Sequence, residues 1–259
     1  MLICQVRSAI QNPMIRCVIV VFLDLLASVA AHAEDASHWQ FNITPYVWFG
    51  GLHSTFSRAL APGVPPLQGK SDVPVLLPYA EHLPAMIAGE VRYGRFGLGI
   101  DFNALDANFG FSLRTPPFLA GNADTDNFQT TVIASYRVVQ ADQQHVDIGV
   151  GARIWSVHST LTLGRLSSES KTRWTDPLLA VRYHLNLPEN FGLTLYGDIG
   201  GVHIGSALTY EIAATVDFAL TNWMVLRAGY RYAFFDYRSS NLNRSATLNG
   251  PIIGTTFRF

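Results

Sequence analysis

The sequence predicts an all-β protein: an antiparallel transmembrane β-barrel of about ten strands, eight to twelve being compatible, behind an export signal. Three observations carry the prediction. Ten stretches alternate apolar and polar residues with period 2, which is the pattern of strands and not of helices. The connections between them alternate in length, a contrast that barrels in an outer membrane show between short inner turns and longer outer loops. The chain also ends on an apolar strand, NGPIIGTTFRF, where Pro251, Ile253, Thr255, Phe257 and Phe259 share one side and Gly250, Gly254, Thr256 and Arg258 the other. Chain ends usually fray and carry polar groups, so a terminal Phe-Arg-Phe suits a closing strand set in lipid.

Composition narrows the class. Of 259 residues only 14% are charged and 12% are aromatic, yet past residue 33 no apolar run is long enough for a membrane-spanning helix. A formal net charge of −1 offers no basic face for nucleic acid. Residues 1–33 read as a cleaved signal peptide, with Arg7 and Arg16 before an apolar run that Asp24 interrupts, and Ala31-His32-Ala33 as the cleavage site. Met14 is an alternative start. Both cysteines, Cys4 and Cys17, fall in that segment, so the expected mature domain, 34–259, has no thiol chemistry.

The strands follow in order. Trp39, Phe41, Ile43, Val47 and Phe49 alternate with Gln40, Asn42 and Thr44. Residues 54–83 lose the pattern and carry Pro62, Pro65, Pro66, Pro74 and Pro78, which predicts a long loop. Alternation returns over 85–93 and 96–103 around a Gly94-Arg95 turn, and a second long loop is expected at 110–126. Strands are then expected at 128–137 and 146–154, with a bulge near Trp155 where parity slips. After a loop around 164–169 come strands at 176–184, 191–199, 208–218, 224–232 and 249–259. Tyr93, Phe96, Tyr136, Tyr183, Phe191, Phe218 and Trp223 gather at short-turn ends, as an interfacial girdle would.

Several stretches together carry a family likeness: the opening WQFNITPYVWFGGL, Asp176-Pro177-Leu178 with Arg182-Tyr183, the glycine-rich GDIGGVHIGSALTY, and GYRYAFFDY followed by the terminal strand. In this order the chain resembles a family of small, largely uncharacterised outer-membrane β-barrel proteins of Gram-negative bacteria. The resemblance implies a barrel in the cell outer membrane and no particular chemistry. The ending also resembles the signal read by the barrel-assembly machinery, at Gly254, Phe257 and Phe259, although Ile252 stands where a polar residue is usual.

The inward faces hold the candidate functional residues. Seven acids (Glu90, Asp101, Asp147, Asp176, Asp198, Glu211, Asp217) meet seven arginines (Arg92, Arg137, Arg153, Arg182, Arg227, Arg231, Arg258). Arginine's planar fork suits bidentate carboxylate pairing in a confined lumen. Ten strands leave only modest space beyond what eight would fill, so the expectation is a charge-paired lumen, structural or a narrow passive channel for small solutes. The alternatives are a barrel enzyme acting on outer-membrane lipid or lipopolysaccharide acyl chains, or a barrel binding at its surface through the long first loop. Ser159 beside His158, His203 near Ser206, and Asp176 are the candidates for nucleophilic chemistry, and adjacent strand residues point to opposite faces. No catalytic residue, cofactor or metal site is expected, since the histidines lack ligand spacing. The expected partners are outer-membrane lipids, lipopolysaccharide and the assembly machinery.

Overall fold

The alternation becomes twelve strand segments in the computed structural model, which describes residues 39–58, 66–81, 84–114, 120–239 and 242–259. They are β1 (Trp39–Trp48), β2 (Gly51–Arg58), β3 (Leu67–Val73), β4 (Ala85–Tyr93), β5 (Phe96–Leu113) and β6 (Ala120–Gln140). The series continues with β7 (Gln144–Leu163), β8 (Leu166–Asn186), β9 (Phe191–Gly200), β10 (Leu208–Ala219), β11 (Met224–Arg238) and β12 (Leu242–Arg258). The expected signal peptide, 1–33, and with it both cysteines, lies outside the described residues, as do His38 and His82.

The twelve segments make ten staves. β2 prolongs β1, and β3 leads into β4 across 74–84, which holds one 3-10 turn at Leu77–Tyr79. In the lower wall β1 joins β12 to β4; in the upper wall β2 and β3 take that place between β12 and β5. All pairings are antiparallel, and β1 on β12 closes the sheet. The closing strand is held by reciprocal bonds, Phe41 N to Phe259 O (3.1 Å) and Phe259 N to Phe41 O (2.8 Å). Pro251 lacks a donor but accepts Phe49 N at 2.9 Å. At the β1–β2 bend backbones crowd so closely that a Cβ on Gly250 would sit 2.1 Å from Phe49 O. Only glycine fits there.

Length decides what the wall does. β6, β7 and β8 run 21, 20 and 21 residues, whereas about 9–11 tilted residues cross a bilayer. Their upper halves therefore stand outside the membrane, and there the faces exchange. Low on β7, Ile148, Val150 and Ile154 point outward and are 40–50% exposed, while Asp147 and Arg153 point inward and are buried. Above, Trp155 and Val157 are buried inside, and Ser156, His158, Thr160 and Thr162 face out. Lipid demands an apolar outside and water a polar one, so one unbroken alternation serves both media.

That exchange corrects several expectations. There is no bulge at Trp155: β7 pairs β8 without a shift from Gln144↔Leu185 to Leu163↔Leu166. The register irregularity of this region lies instead at Arg137/Val139, near the periplasmic turn. Residues 54–83 are not a patternless loop, because β2 and β3 pair from Leu52↔Val73 to Arg58↔Leu67. Of their prolines, the described Pro66, Pro74 and Pro78 stand outside both strands, and Pro62 and Pro65 lie outside the described residues. Residues 110–113 and 120–126 likewise belong to β5 and β6, which pair up to Ser112↔Ala120. The loop expected at 164–169 is a tight turn between Leu163 and Leu166, with Gly164 at φ +60°.

Aromatic contacts mark the membrane edges. Near the termini Trp39 meets Tyr93 (4.9 Å between centroids), Phe96 meets Tyr136 (5.1 Å) and Phe191 meets Phe218 (4.9 Å). At the opposite edge Tyr210 stacks on Tyr232 (5.9 Å) and Phe234 (5.2 Å). The outer wall is notched on one side. β9 and β10 end low, at Gly200 and Leu208, so above Leu178 strand β8 pairs with β7 alone. Arg58 Nη1 bridges the notch to Ser168 Oγ at 2.8 Å.

Candidate functional site: a charged lumen under an apolar cap

Strand parity delivers the inward charges in three groups. In the first group Arg182 forks onto Glu90, with Nη1 to Oε2 and Nη2 to Oε1 both 2.7 Å. Asp147 takes Arg92 (2.9 Å), Arg137 (2.9 Å) and Arg182 (2.8 Å), and Arg92 also reaches Glu90 at 2.7 Å. Three arginines on two acids leave a local charge of +1. At mid-lumen Arg153 binds Asp198 (2.6 Å) and Glu211 (3.1 Å), and Arg231 binds Glu211 (2.8 Å) and Asp101 (2.9 Å). Two arginines on three acids reverse the local sign. In the third group Asp217 accepts Thr194 Oγ1 (2.7 Å) and Thr215 Oγ1 (3.0 Å), with Arg227 Nε at 3.5 Å.

Sequence reasoning about charges left out the neutral groups that complete this network. Tyr46 donates to Asp101 Oδ1 (2.6 Å) and accepts Arg231 Nη1 (2.8 Å). Tyr196 donates to Asp198 (2.7 Å), while Thr131 and Thr209 accept Arg153 at 3.1 and 3.3 Å. Their signal was available, since all lie at inward parity. Arg258, named with the inward arginines, does not join Asp217. Arg227 occupies that place instead, and Arg258 is exposed at the mouth.

Asp176 also departs from the ion-pair pattern. It is fully buried above the charges and takes only neutral donors: Trp155 Nε1 (3.1 Å), Trp174 Nε1 (3.1 Å), Ser206 Oγ (3.0 Å) and the backbone N–H of Ser206. The indoles stack at 5.5 Å and Phe235 packs on Trp155 at 4.8 Å. Trp48, Leu52, Phe109, Phe111, Val157 and Leu248 extend this core across the barrel. A charged layer thus lies under an apolar cap. Between the charges, at membrane level, there remains a cavity of about 290 Å³.

The residues considered for nucleophilic chemistry are kept apart. Ser159 faces inward to Thr125 (3.2 Å), whereas His158 faces outward to Glu169 (2.8 Å) and Asp126 (3.4 Å). Ser206 is fully buried on Asp176, and the His203 side chain is exposed. On the outer flank Glu81, Asp106 and Asp124 bring carboxylate oxygens within 4.8 Å of one another, a grouping that histidine spacing could not signal.

The backbone matches the outer membrane protease OmpT from Escherichia coli over 87% of this chain and 99% of that one, with a TM-score of 0.64 and 9% identity. The chain is an outer-membrane β-barrel. Looser matches are Neisserial surface protein A (16% identity, 87% of this chain, 100% of that chain, TM-score 0.32) and Ail of Yersinia pestis (14%, 86%, 100%, 0.33). No family model matches the sequence, and no curated protein does. At 9% identity the likeness to OmpT is one of fold, so the barrel's chemistry has to be read from its own lumen and outer wall.

Proposed function

We propose that this barrel is closed to diffusion and serves as a non-enzymatic, membrane-anchored scaffold holding a binding face outside the cell. The observation that carries this reading is the double seal, an ion-paired layer beneath a packed cap of Trp155, Trp174 and Phe235. Selective pores present a ring of one sign, whereas here the sign reverses between two adjacent layers. In planar bilayers the purified barrel should give no conductance steps. The combined change Trp155→Ala, Trp174→Ala and Phe235→Ala should raise flickering current; steps of stable size from the parent would sink the closed reading.

The upper wall supports the outward-facing part of the proposal, because β2 and β3 pair their backbones where the sequence predicts a long loop. Within the same reading residues 1–33 are removed on export, and the barrel belongs with the small barrels its sequence resembles. Its partners are outer-membrane lipid, lipopolysaccharide and the assembly machinery. Gly254, Phe257 and Phe259 form the assembly signal. Deleting Phe259, which is 74% exposed, should therefore cut the folded, heat-modifiable band in outer membranes severalfold. An unchanged band would remove the signal from the proposal.

A further inference from the structure

One inward-facing cation of the outer wall, Arg244, has neither an ion pair nor a hydrogen bond among the described residues. Arg244 projects inward from β12, between Phe56 of β2 and Tyr237 of β11. Among the described residues no ion pair or hydrogen bond engages its guanidinium, whereas the neighbouring Arg58, Arg173 and Arg238 all have partners. The described carboxylates above the level of Asp176 all belong to outward positions: Asp72, Glu81, Asp106, Asp124, Asp126, Glu169 and Asp236. Burial alone acts on Arg244 and brings it down to about 10, so it stays cationic at neutral pH.

Arg244 lies beside open space. It borders a chamber of about 70 Å³, several waters in size, which Ser54, Ser71, Thr125, Ser159, Ser170 and Thr172 line with hydroxyls. Phe56, Phe109 and Phe111 give the same chamber apolar walls. Above it, sharing Arg58, Ser170, Thr172 and Leu242, a cleft of about 330 Å³ occupies the notch between β8 and β11. Below it a smaller cavity ends on Leu76, Ala107 and Leu248 of the cap. The path is blind. It descends from the outside past arginine and hydroxyls to a charge without a partner, and an unpaired cation in such a place is costly for folding alone.

We propose that this chamber is a binding site for a small organic monoanion with an apolar body, anchored on Arg244 and admitted through the notch. The proposal rests on the reading of the outer wall as a binding face. Its ligand carries a carboxylate or similar head for the guanidinium and hydroxyls, and a flat or short apolar part for the phenylalanines.

Titration calorimetry on the detergent-purified barrel tests it, with benzoate as the probe and benzamide as its neutral counterpart. Benzoate should bind about tenfold or more tightly than benzamide, as one charge-assisted hydrogen bond requires. Arg244→Met should abolish that preference, Arg244→Lys should keep part of it, and Arg238→Met should leave it unchanged. Without ligand, Arg244→Met should raise the thermal midpoint, because it deletes an unpaired charge, and benzoate should no longer raise it further. Equal binding of the two probes, no heat of binding to the folded parent, benzoate bound by Arg244→Met as by the parent, or a lowered midpoint in that variant each overturns the site. Conductance by the parent would instead strike the closed-barrel reading and leave the benzoate result standing, so the two failures are distinct.

Discussion

Replacing Arg153 by Met should lower the unfolding free energy by about 3–5 kcal/mol, the usual cost of stranding buried carboxylates. Arg153 is 1% exposed and holds four acceptors on three other strands: Asp198, Glu211, Thr131 and Thr209. The loss falls unevenly. Glu211 keeps Arg231 at 2.8 Å, but Asp198 keeps only the Tyr196 hydroxyl at 2.7 Å. Adding Asp198→Asn to Arg153→Met should therefore recover most of the loss, since a neutral amide asks for no counter-ion. Urea unfolding in lipid vesicles, followed by tryptophan fluorescence, measures both variants. A single variant within about 1 kcal/mol of the parent, the range of ordinary substitutions, would show that the mid-lumen network contributes little.

The second large effect is expected at Asp176. In Asp176→Ala the indole N–H of Trp155 and the backbone N–H of Ser206 lose their acceptor, at about 1–3 kcal/mol for each buried orphan. Trp174 fares better, because Ser206 Oγ still accepts it at 2.9 Å. Asp176→Asn should give an intermediate loss, since its NH2 would face donors. The change should also release the 201–207 turn. Val202 and His203 sit at φ +42° and +64°, a costly region for a β-branched residue, and Ser206 is the anchor that keeps them there. Limited proteolysis should cut Asp176→Ala within this turn while sparing the parent. Equal resistance of the two would mean that the turn is held by other contacts.

The contrast between the two halves of the wall explains how much could be read from the sequence. The membrane-level strands were legible because lipid outside and charge inside keep one polarity from end to end, as in β4 and the lower part of β7. The outer half was misread for a physical reason: the solvent changes and the preferred face inverts, so Trp155 looks like a slip of register. Proline density misled in the same way. Pro66, Pro74 and Pro84 bound β3 and β4 and enter neither. Charges could be placed in the lumen by parity, but not sorted into groups, because grouping depends on stagger between strands far apart in sequence. Arg244 was invisible for another reason. Its significance lies in missing carboxylates, and absence on the inner face shows only once every neighbouring strand is in place.

The exchange of faces also fixes the height at which the barrel rides. Sinking deeper by a residue step would bring Asp126, Ser156, Arg173 and Thr247 toward hydrocarbon; rising would bare Ile154, Leu179 and Ile212 to water. Charged groups on the lipid side cost about 2–4 kcal/mol at mid-bilayer and little near the interface, so the restoring force grows steeply from a shallow minimum. The cap and notch are therefore carried at a set distance above the lipid headgroups, and a molecule approaching from outside meets them at a defined height over the bilayer.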